Sequence, residues 1–213
     1  TKYRLNTYRY DLMGCCIEEK RYLEEQSEVS AEGKVNVIHY TYDQASRLTS
    51  VTDSTGAHME YAYDGRNLRT MERYKIAEGI YQERHYTYSA SGRLIKIMES
   101  ADEKGCGRKY VPTQISYDGN GNITRIQTPS GNEILREYDQ SNHLLAETHK
   151  EKGGSILNRI TFTYDLNGNL IQRTESNGFY TRYQYDMQGR QIRTEDADGA
   201  ITCNDYDRNG NLV

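Results

Sequence analysis

The chain has no tryptophan, two phenylalanines and few aliphatic side chains; leucine, isoleucine, valine and phenylalanine together make up 36 of its 213 residues. That share, about 17%, lies under the roughly 20% below which chains of high net charge stay disordered. The net charge, however, is only −4, so a fold is expected. No apolar run approaches the ~20 residues that span a bilayer; the longest resemble Leu144-Leu145-Ala146. The N-terminus, Thr1-Lys2-Tyr3-Arg4-Leu5-Asn6, lacks the apolar stretch of a signal peptide. Neither a membrane span nor a signal peptide is therefore expected in this chain. Basic residues do not exceed acidic ones, 27 against 31, and form no stripe that would neutralise phosphates, which argues against a nucleic-acid partner.

Chemical motifs are missing as well. The four cysteines, Cys15, Cys16, Cys106 and Cys203, form no CxxC pair. Adjacent Cys15 and Cys16 bridge only with backbone strain and read as small hydrophobes. The five histidines (His39, His58, His85, His143, His149) show no HExxH or paired Cys/His spacing. Neither a metal nor a cofactor is expected. There is no GxSxG, no Walker sequence, and no spacing that assembles nucleophile, base and orienter, so the chain does not read as an enzyme.

What the chain has in quantity is tyrosine, 20 residues of it, a half-polar aromatic suited to the pleated surface of a sheet. Nine tyrosines recur with a turn signal behind them: Tyr10-Asp11, Tyr42-Asp43, Tyr63-Asp64, Tyr88-Ser89, Tyr117-Asp118, Tyr138-Asp139, Tyr164-Asp165, Tyr185-Asp186 and Tyr206-Asp207. Four of the eight intervals equal 21 residues and the others are longer, the mark of one repeating unit with loop insertions. Glycine follows three residues after the aspartate or serine at Gly92, Gly121, Gly168, Gly189 and Gly210, and a second glycine comes ten residues later at Gly131, Gly178 and Gly199. Asp accepts from backbone N–H groups two residues on, and Asn-Gly at a tip selects a primed turn or a bulge. Each unit is thus two turns and two strands.

Details of this pattern carry further expectations. Asn142 replaces Gly as the next residue that tolerates the left-handed region, and Ser46 fits less well. The third unit, Tyr63-Asp64-Gly65-Arg66-Asn67-Leu68, is one residue short before its leucine, and the first puts cysteine where a leucine usually stands. These two turns are expected to differ in geometry. Aromatics at i and i+2, such as Tyr40/Tyr42, Tyr61/Tyr63 and Phe162/Tyr164, share one sheet face, and stacking of units is expected to line their rings into ladders. Helix propensity in Glu18–Gln26 competes with the repeat, which favours an elongated hairpin arm. Gly105-Cys106-Gly107 and Lys152-Gly153-Gly154 mark loop tips. The expected fold is all-β: tandem antiparallel hairpins in one continuous, curved or spiralling sheet, a single array over 1–213.

The motif Tyr-Asp-x-x-Gly-[Arg/Asn]-[Leu/Ile], matched closely by Gly92-Arg93-Leu94 and Gly121-Asn122-Ile123 and repeated in register along the whole chain, resembles the YD repeat of Rhs proteins. The resemblance implies hairpins joined edge to edge into a hollow shell that encloses a toxin or other effector domain, in secreted or cell wall-associated bacterial proteins. Its implied partners are the rest of the parent shell and that effector. The family's self-cleaving members carry an Asp-Pro segment at the end of the shell, and the only prolines here are Pro112 and Pro129. No autoproteolytic residue is carried over, and the chain reads as part of a longer protein or as one short array. The competing reading is a binding module, in which exposed tyrosine rows take up cell-surface glycan or a protein. Unpaired terminal strands near Thr1 and Leu212-Val213 are expected to self-associate edge to edge.

Overall fold

The structure is a computed structural model describing residues 6–22, 35–102 and 108–213. Every regular element in it is a β-strand: β1 (Asn6–Tyr10), β2 (Cys16–Tyr22), β3 (Val35–Tyr42), β4 (Leu48–Asp53), β5 (His58–Tyr63), β6 (Arg69–Ala77), β7 (Ile80–Tyr88), β8 (Leu94–Asp102), β9 (Arg108–Tyr117), β10 (Ile123–Gln127), β11 (Glu133–Tyr138), β12 (Leu144–Lys150), β13 (Ile156–Tyr164), β14 (Leu170–Glu175), β15 (Tyr180–Tyr185), β16 (Gln191–Asp196) and β17 (Ile201–Cys203). The chain divides into two compact units, Thr1–Pro112 and Thr113–Val213.

In the first unit each strand from β1 to β8 pairs antiparallel with the next, and in the second the same meander runs from β9 to β17. Alternation follows the pleat. In the second unit Phe162 faces Arg173, which faces Thr181, while Tyr183 faces Thr194. One face therefore carries Phe162, Arg173, Thr181, Tyr183 and Thr194, and the other carries Ala146, Thr161, Gln172, Tyr180, Arg182 and Glu195. The helix-prone Glu18–Gln26 stretch is strand as far as Tyr22, in the elongated arm; residues 23–26 lie outside the described residues, as do Gly105-Cys106-Gly107 and Thr1. Lys152-Gly153-Gly154 forms a tip closed by Gly154 N–H to Glu151 C=O. At the chain's end Leu212 bridges Tyr206, and Val213 N–H donates to Asp205 C=O.

Apolar burial is thin: among the described residues only Ile38 and Ala146 are buried hydrophobics, beside buried Glu19, Ser100 and Thr148. Dispersed polar networks supplement it. Glu19 accepts from Arg21 at 2.6 and 3.0 Å and from the Tyr40 hydroxyl at 2.9 Å. Burial, then the Glu19 bond, pushes Tyr40 up to about 12; Tyr86, bonded to Glu72 at 2.6 Å, rises to about 12 for the same reasons.

The expected stacked tyrosine ladders are not formed. Among the described residues no two tyrosine rings stack; they meet arginines instead, as in Arg47 over Tyr63 (4.9 Å), Arg73 over Tyr81 (4.0 Å) and Arg190 over Tyr206 (4.8 Å). The physical reason is spacing. Equivalent residues in successive hairpins are two strands apart, ~9.6 Å at the usual 4.7–4.9 Å per strand, beyond the ~4.5–7 Å between centroids of interacting rings. The cation comes from the preceding turn, as with Arg47 and Arg190, or from the neighbouring strand, as with Arg73.

Candidate functional site: the tyrosine–aspartate turn lattice

The recurring residues build one local structure. Asp165 N–H donates to Asn169 C=O and Gly168 N–H to Asp165 C=O, at 2.9 and 3.1 Å, closing a three-residue loop whose last member lies in the left-handed region. A register shift between Thr163 and Tyr164 places a β-bulge beside it. The Asp165 carboxylate caps the loop: Oδ1 accepts from the N–H groups of Asn167 (2.9 Å) and Asn169 (2.8 Å), and Oδ2 accepts from the Asn169 side chain (2.9 Å). Asp11, Asp43, Asp64, Asp139, Asp186 and Asp207 each accept the same pair of N–H groups, two and four residues on. Asp118 accepts instead from Gly121 and Asn122, and Ser89 caps through its hydroxyl.

These bonds hold the carboxyls of Asp43, Asp64, Asp118, Asp139, Asp165, Asp186 and Asp207 below the usual carboxylate range. For Asp165, Asp118 and Asp207 the foremost cause is the amide side chain of Asn169, Asn122 or Asn211. For Asp43, Asp64, Asp139 and Asp186 it is the backbone N–H of Arg47, Leu68, His143 or Arg190.

The loop's left-handed position is glycine in six units, Gly168 and Gly210 both at φ 85°. Ser46, Asn67 and Asn142 hold it at φ 59°, 65° and 68°. The first and third turns, expected to differ, are the same as the rest: Asp11 N–H bonds Cys15 C=O, Asp64 N–H bonds Leu68 C=O, and Asn67 takes the glycine's place. A leucine after the turn is dispensable because the residue five after the aspartate contributes its carbonyl to the lattice, and any side chain leaves that carbonyl available.

That carbonyl is what the anchor tyrosines bind. The hydroxyl of Tyr42 donates to Cys16 C=O (2.9 Å), Tyr63 to Leu48 (2.9 Å), Tyr88 to Arg69 (2.8 Å), Tyr138 to Ile123 (3.0 Å), Tyr164 to Leu144 (2.9 Å), Tyr185 to Leu170 (2.9 Å) and Tyr206 to Gln191 (3.0 Å). Each acceptor is the residue five after the preceding unit's aspartate, so every bond latches one hairpin to the one before it. Tyr117 occupies the corresponding place at the end of β9. Nothing in residue spacing foretold the latch. Its one sequence signal is that the anchor is tyrosine in all nine units while Phe162 stands two residues before an anchor.

The turns are also tied to one another along the edge. Arg47, bonded to Asp43 at 2.7 Å, reaches Asp64 C=O and Asn67 Oδ1 of the next turn. Arg66 reaches the carbonyls of Ser89 and Ala90, and Asn122 reaches Asn142. His143 bonds Asp139 at 3.0 Å and stacks on Tyr164 with centroids 4.8 Å apart. The aspartates, the ordinary candidates for acid–base work, are thus engaged in capping. Among the described residues no group of three or more His, Cys, Asp or Glu side chains is arranged to hold a metal ion, and no helix is long and apolar enough to cross a membrane.

Comparison with known proteins agrees with this geometry. Residues 164–201 match the RHS Repeat family model. Over 143 residues, 67% of the chain, the sequence is 29% identical to the tRNA nuclease WapA of Bacillus subtilis and 29% identical to the tRNA3(Ser)-specific nuclease WapA of Bacillus spizizenii. The matched stretch spans 5% of those proteins' length. Among solved structures, TcdB2-TccC3 aligns over 97% of this chain and 15% of its own at 12% identity, with a TM-score of 0.52. The TcdB2-TccC3-TEV structure aligns over the same shares at 14% identity with a TM-score of 0.51, a likeness of fold. With its aspartate-capped hairpins latched by tyrosine hydroxyls from unit to unit, the chain resembles the YD repeats of Rhs-type proteins, and its residues 164–201 carry an RHS repeat.

Proposed function

We propose that this chain is a non-catalytic structural region of an Rhs-type secreted or surface protein, whose hairpins form a single array of about nine units and build a β-shell that encloses or presents a toxin or other effector domain. The observation that carries the reading is the latch: the residues that recur most strictly serve to join one hairpin to the next. A wall made of one sheet needs such joints because its apolar burial is thin. The partners are the remainder of the parent shell and its effector. The tRNA cleavage named for the WapA relatives is not carried over, since the match spans 5% of their length.

Protease protection in the full-length parent protein tests this. An enclosed effector resists digestion in the wild type and is cut faster once Tyr164→Phe and Tyr185→Phe loosen the wall. An effector cut equally fast in both refutes enclosure. Turnover of nuclease, glycosidase or peptidase substrates by this chain, abolished by a single substitution, refutes the non-catalytic reading.

A further inference from the structure

Two equivalent open grooves lie side by side on the aromatic face of the second unit, each between one capped turn and the approach strand of the next hairpin. One, of about 550 Å³, has Leu145 and Phe162 along its floor and Leu166 on its rim. The other, of about 510 Å³, has Ile171, Tyr183 and Met187 at the same repeat positions. Leu166 and Met187 are fully exposed, at 107% and 105%. Large apolar side chains held so far into solvent at two successive tips contribute nothing to the unit's own packing, which is why an occupant is sought.

The period of the grooves selects its chemistry. Phe162 on β13 and Tyr183 on β15 are two strands apart, a translation of ~9.6 Å. A polyproline II segment completes one turn in three residues at 3.1 Å each, about 9.3 Å. An extended strand returns a side chain to the same face about every 6.6 Å and falls out of step at once. The geometry points to a proline-rich segment in the polyproline II conformation, laid across the hairpins so that prolines three residues apart enter successive grooves.

The lining suits that occupant. Aromatic-lined grooves take up proline rings, and a segment already in polyproline II loses little freedom on binding. Such a segment leaves its carbonyls free. The Tyr183 hydroxyl and the Asn167 side-chain amide, neither with a partner among the described residues, supply donors beside the second groove. Asp165 stands on the wall of both grooves. Its side-chain partner is the neutral Asn169, so its charge is not compensated and favours a basic residue flanking the prolines. This inference is independent of shell formation, because it rests on the turn tips and not on the latch.

The test is fluorescence anisotropy on the 213-residue chain with two labelled peptides of identical composition, each flanked by arginine. Each has three prolines, set three residues apart in one peptide and two residues apart in the other. The expected result is saturable binding in which the period-three peptide is about tenfold tighter, and a loss of about tenfold in the variant carrying Leu166→Glu and Met187→Glu. Because both side chains are fully exposed, circular dichroism and melting of that variant should match the wild type. No binding, equal binding of the two peptides, or indifference to the double variant overturns the proposal. So does saturable binding of a β-1,4-linked oligosaccharide in place of the peptide, lost in the same variant, which makes the occupant a glycan.

Discussion

Replacing Tyr185 by phenylalanine removes one oxygen and leaves the ring, its strand and its face untouched. The hydroxyl it deletes donates to Leu170 C=O at 2.9 Å, across to the preceding unit. A neutral hydrogen bond of this kind is worth about 0.5–1.5 kcal/mol net, rising toward ~1–3 kcal/mol where the abandoned acceptor is sealed from water. Leu170 is only half-buried, so water reaches its carbonyl in part, and the expected loss is about 1 kcal/mol. For a chain of this size that corresponds to a melting shift of roughly 2–4 °C. The control lies two residues away. Tyr183 shares the face but its hydroxyl has no partner among the described residues, and the repeat already accepts phenylalanine at that position as Phe162. Tyr183→Phe is therefore expected to be neutral within about 0.5 kcal/mol. Urea titration of both variants and of the Tyr164→Phe, Tyr185→Phe pair measures the difference, the pair losing about 2 kcal/mol if the latches act independently. A Tyr185→Phe no less stable than Tyr183→Phe would refute the latch as a source of stability.

Gly168→Val should destabilise by at least about 2 kcal/mol in denaturant titration, since a branched side chain is strained in the left-handed region and its Cβ would meet His143 Nε2 at 3.0 Å; Gly168→Asn, which copies Asn142, should lose less. The capping carboxyls have lowered values in the fold, so their stabilisation is present above the unfolded value of about 3.9 and is lost as pH falls through the lower folded values. Acid unfolding monitored by circular dichroism should accordingly set in below about pH 4 and become less steep in Asp165→Asn. Tyr40 and Tyr86, raised to about 12, favour the fold while protonated; stability is complete below the unfolded value of about 10 and is lost as pH climbs toward 12. Phenolate absorbance should show two late-titrating tyrosines that Tyr40→Phe and Tyr86→Phe remove one at a time.

Local chemistry was legible from residue order. Period-two aromatics mark strands, an Asp or Ser cap three residues before a Gly, Asn or Ser marks each hairpin turn, and the spacing of Tyr138, Tyr164, Tyr185 and Tyr206 marks the unit, because a strand's faces and a turn's backbone are decided within a few neighbours. The same reasoning failed where it treated a side chain as part of a turn that the backbone alone closes. Asn67 and Cys16 looked like irregularities, yet the loop asks only for a capping acceptor and one residue tolerant of positive φ, which Asp64 with Asn67 and Asp11 with Gly14 supply.

Relations between hairpins required the tertiary structure. That tyrosine rings meet arginines and not one another follows from the width of two strands, a distance absent from sequence spacing. That Tyr185 binds the carbonyl of Leu170, 15 residues earlier, depends on the register of β14 against β15, with Gln172 opposite Arg182 and Thr174 opposite Tyr180. The sequence by itself thus determined the strands, the turns and their period, which are local. Only the tertiary structure decided the latch and the paired grooves, because a hydrogen bond or a cleft between hairpins exists only once their registers are fixed against each other.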